Sequence, residues 1–127
     1  MASELRVNTL KDASGNNSIA TSFVAGGSAK AWLHYDQKDT IVVRASFNTS
    51  SVTDVGTGDF TINFTSSMSD GHYSPQMCSI ATVSNLGFNR IYAVSTTVAG
   101  SVRMVHYENQ NEVDTDINTV TINGDLA

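Results

Sequence analysis

Phe60, Ile62 and Phe64 alternate with Thr61, Asn63 and Thr65, and this short run constrains the fold more than any other part of the chain. Period-2 alternation puts the apolar side chains on one face of a strand and the polar ones on the other, so the apolar face needs a second layer to cover it. The run follows Asp54-Val55-Gly56-Thr57-Gly58-Asp59, whose two glycines can take the positive φ that a tight reversal demands. Upstream, Ser46-Phe47-Asn48 through Val52 is a further extended candidate, so the segment reads as a hairpin.

Composition extends that reading to the whole chain. Val and Ile number 20 against five Leu, Ser and Thr number 30, and there is one Pro among 127 residues. β-Branched side chains lose χ1 freedom in a helix and suit a pleated surface. No stretch sustains apolar residues at i, i+3, i+4 and i+7 between helix caps. Strands are predicted at 30–35, 40–47, 50–53, 59–65, 73–83, 90–95, 101–107 and 112–122. Turn clusters separate them at 36–39, 55–58, 69–71, 85–89, 99–100 and 109–111. Short strands at this spacing predict an all-β fold, an antiparallel β-sandwich of jelly-roll type. No period of 20–50 residues repeats, which excludes a solenoid or propeller.

Two regions divide the chain. Residues 1–27 read as an N-terminal arm: a short strand in which Leu5, Val7 and Thr9 alternate with Glu4, Arg6 and Asn8, a polar turn at 11–18, an extended run from Ile19 to Val24, and a hinge at Gly26-Gly27. The other reading makes these the first strands of the sandwich. Residues 28–127 form the sandwich domain, large enough for one core. Its inward positions, by alternation, are Trp32, Ile41, Val43, Phe47, Val52, Phe60, Ile62, Phe64, Met77, Ile80, Ile91, Ala93, Val102, Met104, Val120 and Ile122. For Trp32 the alternative is an exposed platform on which a sugar ring stacks.

Charge excludes some partners. The formal net charge is −5, and no Lys or Arg follows Arg103, whereas Glu108, Glu112, Asp114, Asp116 and Asp125 do. Such a chain lacks the cationic face that neutralises a phosphate backbone, so no nucleic-acid partner is expected. The acidic end reads as a solvated strand edge, or as a contact for a basic partner or a cation. The first residues, Met1-Ala2-Ser3-Glu4-Leu5-Arg6-Val7, lack an apolar leader, and no run is long enough to span a bilayer. Synthesis in the cytoplasm and no membrane partner are the expectations, with the sequons at Asn16, Asn48 and Asn63 fortuitous. Cys78 is the single cysteine, so no intrachain disulfide forms, and its apolar surroundings predict a buried, inert thiol.

No constellation points to catalysis. His34, His72 and His106 lie far apart in sequence without metal-ligand spacing and read as independent surface residues, unless a threefold assembly brings one per subunit to its axis. Serines and aspartates abound, but there is no Gly-x-Ser-x-Gly elbow to hold a nucleophile. Asp54 and Asp59 flank a turn, where aspartate is expected, and Asp114-Thr115-Asp116 lacks the rest of a calcium loop. Neither a P-loop nor Gly-x-Gly-x-x-Gly occurs. The expectation is a protein that is not an enzyme and has no cofactor, no metal and no catalytic residue.

The order Lys30-Ala31-Trp32, then Ser46-Phe47-Asn48, then Thr57-Gly58-Asp59-Phe60-Thr61-Ile62-Asn63-Phe64-Thr65 resembles a module of virion structural proteins in tailed bacteriophages, of the capsid decoration or tail-fibre type. Leu5-Arg6-Val7-Asn8-Thr9-Leu10 followed by Ala13-Ser14-Gly15-Asn16 is similar to the opening of many phage fibre proteins. The resemblance covers about residues 4–10 and 29–75; the remainder matches only in being rich in strands. It implies a protein without active site or cofactor, acting as a homotrimer within a virion. A single short domain behind a short arm suits a decoration (cement) protein on the outside of the head, docked on the major capsid protein and stabilising it. A short tail fibre or tail-tip adhesin that binds a host glycan is the alternative. For the decoration role Leu5, Val7 and Leu10 are the expected partner contacts, because an extended arm with apolar side chains can add a strand to an exposed sheet edge.

Overall fold

The computed structural model describes residues 3–80 and 90–127. It is an antiparallel β-sandwich with one short helix. After an irregular start come β1 (Thr9–Lys11), β2 (Ser18–Ala20) and α1 (Thr21–Gly27). The body follows as β3 (Ala29–Asp36), β4 (Val42–Phe47), β5 (Thr49–Gly56), β6 (Asp59–Phe64), β7 (Ser74–Ile80), β8 (Arg90–Val98), β9 (Ser101–Glu108), β10 (Asn111–Glu112) and β11 (Ile117–Asn123). One sheet runs β4-β3-β11-β7; the other runs β5-β6-β9-β8, with β10 pairing the far end of β9. The sequence-adjacent hairpins β3–β4, β5–β6 and β8–β9 dominate this order, which does not by itself establish the expected jelly-roll arrangement.

The strand that the sequence marks most strongly sits where its pattern demands. Phe60, Ile62 and Phe64 on β6 are buried, and Met104 and Val102 pair with Phe60 and Ile62 across β9. Opposite them stand Ala31, Leu33 and Tyr35 of β3 and Val120 and Ile122 of β11. Ile41, Val52 and Met77 are partly buried against this cluster, and Ala93 is half-buried. Gly58, at the turn into β6, has φ +67°, and a Cβ there would lie 2.6 Å from the His106 carbonyl oxygen.

β3 corrects the expected core. Its inward residues are Ala31, Leu33 and Tyr35, so Trp32 faces out and is 41% exposed. The register with β11 decides this: Val120 and Ile122 point inward, and they pair with Leu33 and Ala31. Phe47, the β4 partner of Trp32, is carried outward with it and is 53% exposed, and Val43 is also exposed. The side chains of Ile80 and Ile91, the 85–89 turn and the 81–83 end of the strand predicted at 73–83 lie outside the described residues. Cys78 is exposed rather than buried, because Met77 and Ser79 take the inward positions on β7. His106 is fully buried and is not a surface residue.

The first residues also differ from expectation. Leu5 and Val7 precede any strand, and only Thr9–Lys11 pairs, antiparallel to Ser18–Ala20. Residues 21–27 coil into α1 instead of extending, and Gly26-Gly27 closes that helix, with the Ser28 N–H donating to the Val24 carbonyl at 3.1 Å. The sequence offers little warning, since α1 has no side-chain cap and is too short to show a helical period.

Candidate interaction surface

Sandwiches end in two pairs of edge strands, and here the pairs are β4 with β5 and β7 with β8. β4 and β5 are the edges of opposite sheets on the same side of the body, joined at Asn48. Asn48 adopts φ 54°, a conformation that asparagine tolerates better than most residues. Its side chain fixes the corner: Nδ2 donates to the carbonyls of Lys30 and Ser66 at 3.0 Å each, and Oδ1 accepts from the Ser66 N–H at 2.7 Å. All six residues of β4 are exposed, Val42 by 53%. Across the outer face of the sheet, Phe47, Trp32, Thr121 and Gln76 form one continuous row. An apolar pair beside hydroxyl and amide groups is suited to covering by another molecule and gains nothing from water.

The N-terminal region presents the second such surface. No residue from Ser3 to Gly27 is buried; Ala20 and Thr21 are half-buried and the others exposed. Leu5 is 82% exposed, and Val7, Leu10, Ile19, Phe23 and Val24 are exposed as well. An isolated two-stranded hairpin is marginal in water, and a seven-residue helix is weaker still. Leu10 sits within the hairpin opposite Ile19, whereas Leu5 and Val7 lie ahead of it. The structure therefore leaves all three predicted contact residues uncovered and brings only Leu10 into a strand. Phe47 is a surface residue that the sequence places in the core, and the exposure of Trp32 was there only the alternative, because alternation on β3 and β4 fits either face equally well.

Among the described residues the polar side chains gather at two places. A cleft of about 250 Å³ is lined by Gly26, Met68, Asp70, His72, Tyr73 and Asp125. There the His72 backbone N–H, then its ring, hold the Asp70 carboxyl below its ordinary pKa, with Asp70 Oδ2 3.1 Å from His72 Nδ1. None of the described hydrogen bonds joins a serine or cysteine hydroxyl or thiol to His72. The buried His106 has Nδ1 2.9 Å from the Val113 carbonyl and Nε2 3.4 Å from the Ser79 hydroxyl. Ser79, Asn118 and Tyr35 form one row across β7, β11 and β3, so His106 meets a polar layer that closes this end of the core. Among the described residues no group of three His, Cys, Asp or Glu could hold a metal, and no helix is long and apolar enough to cross a membrane.

No protein-family model, curated protein or solved structure matches the chain.

Proposed function

We propose that the chain is a structural subunit of a bacteriophage virion, a decoration protein on the outside of the head that docks on the major capsid protein and works as a homotrimer. The observation that carries the reading is the N-terminal region, in which, among the described residues, six large apolar side chains are exposed and none is buried. Apolar surface of this extent is stabilised only by a partner, since each buried side chain contributes about 1.5–3 kcal/mol. The phage assignment rests on the resemblance of residues 4–10 and 29–75 to virion modules, and the head on the compactness of the body. Leu5, Val7 and Leu10 supply the attachment strand, with the hairpin and α1 behind them as a foot. No catalytic role, cofactor or nucleic-acid partner belongs to this reading.

Deleting residues 1–10 tests it. The truncated protein should fold yet fail to bind particles that lack the decoration protein. Stable binding by the truncated form would sink the role of the arm, and labelling confined to the tail of intact particles would sink the location.

One feature favours the tail-adhesin reading instead. Trp32 is exposed beside Thr121, and aromatic faces flanked by hydroxyl and amide groups are suited to stacking and hydrogen bonding with a sugar ring. Glycan-array binding abolished by Trp32→Ala would establish that reading in place of decoration.

A further inference from the structure

The arm and the β4 edge have complementary needs. Among the described residues, the only hydrogen bond to the backbone of residues 3–7 is that of the Val7 carbonyl, which accepts from the Thr21 hydroxyl at 3.2 Å. Five residues span about 17 Å when extended and a six-residue strand about 20 Å, so the arm and β4 match in length. The arm alternates Leu5 and Val7 with Glu4 and Arg6. One face can therefore prolong the apolar row that begins at Trp32 and Phe47 while the other stays wet.

Charge does not oppose the pairing. Arg6 is bonded to Glu4 at 3.0 Å and Arg44 of β4 to Asp36 at 2.8 Å, so neither strand brings an uncompensated charge to the contact. Edge strands are normally blunted by proline or unpaired charge. β7, the other edge of this sheet, carries Pro75; β4 carries no proline, and its single charge is already paired. Each chain thus bears one free strand and, in the sheet of β4, one edge without a proline or an unpaired charge. Both are exposed in the same chain, so they do not satisfy each other there.

We infer that residues 3–7 of one copy add a strand to the β4 edge of a second copy. The contact is head-to-tail, so it closes as a ring when the rotation allows. This rests on the attachment reading's premise that the arm is a pairing strand but assigns Leu5 and Val7 to a neighbouring copy instead of the capsid, leaving Leu10, Ile19, Phe23 and Val24 to face the particle.

Mixing two complementary variants of the full chain tests the inference. Leu5→Lys/Val7→Lys spoils the arm and leaves the edge; Val42→Lys/Phe47→Lys spoils the edge and leaves the arm. All four positions are exposed, so the circular-dichroism strand signature should persist. By light scattering at micromolar concentration, the unaltered protein should run as a multiple of 13.6 kDa and each variant as a single copy. Their equimolar mixture should recover a one-to-one pair, because one intact arm and one intact edge remain. A monomeric unaltered protein, an assembly that survives either change, or a mixture that stays monomeric would overturn the inference. Should a double variant lose its strand signature, deletion of residues 3–7 and the single change Phe47→Lys take its place, with the same outcomes deciding. Particle binding is read separately: an assembly that forms as described but does not bind capsids would overturn decoration and leave the strand exchange standing.

Discussion

Tyr35 shows how much one buried polar atom can say. Its ring is fully buried against Phe60, with centroids 5.0 Å apart, and among the described residues its hydroxyl has no hydrogen-bond partner. The side-chain amide of Gln37, two residues on, is buried and has no partner among the described residues either. Burial first, and the nearby Asp114 carboxylate second, push the Tyr35 hydroxyl well above the ordinary tyrosine range. The raised folded-state value fixes the sign of the pH dependence. Below pH 10, the phenol is protonated in both folded and unfolded chains, and the stability linked to it is intact. Above that pH the unfolded chain releases the proton while the folded one keeps it, so stability falls as pH rises. Urea midpoints should therefore drop more steeply above pH 10 in the native protein than in Tyr35→Phe. Equal slopes would show that Tyr35 already ionises in the folded state. None of this was legible in the sequence, where Tyr35 follows a Trp and a His and has no pattern of its own.

Among the elements, β6 and β3 mark the two extremes of legibility. Phe60 to Thr65 could be read directly, because its alternation pairs large aromatics with small polar residues and only one face can be buried. β3 reads Ala-Lys-Ala-Trp-Leu-His-Tyr-Asp, and either face has apolar members. Choosing the Trp32 face as the core shifts every residue to the wrong side, and only β11 resolves it, through a contact some 90 residues away along the chain. Loop contributions were invisible for another reason. Met68 is buried although it lies outside every strand, where no period applies. The assignment of faces makes a paired prediction. Leu33→Ala should cost about 2–5 kcal/mol in urea denaturation, as expected for a buried leucine that leaves a cavity. Trp32→Ala, the larger truncation, should cost less than about 1 kcal/mol, because surface changes away from special features stay small. A reversal of that order would place Trp32 in the core after all. Phe47, like α1, was missed, and Trp32 was placed inward first, for want of a local signal: what exposes both aromatics is the sheet register.

At the scale of the whole molecule, the chain separates into a part that holds itself together and a part that does not. The body closes two sheets over one apolar cluster and seals one end with the His106–Ser79–Asn118 layer. Residues 3–27 contribute nothing buried to that core; Lys30, at the start of β3, donates to the carbonyls of Ala25 and Ser28, and Gly26 borders the cleft beside Met68. Removing residues 1–27 should therefore cost the body little. Exposed hydrogen bonds of this kind contribute at most about 1 kcal/mol. A loss of that size lowers the thermal midpoint of a domain of some 100 residues by roughly 4–8 °C. Circular dichroism of residues 28–127 should keep the strand signature and a single cooperative transition within that range. Light scattering on the same sample should show the assembly gone, because the free strand is missing while the β4 edge remains. If the truncated body melted without a cooperative transition, the first 27 residues would be part of the sandwich, as the competing sequence reading had it, and the apolar side chains on them would need another explanation than a partner.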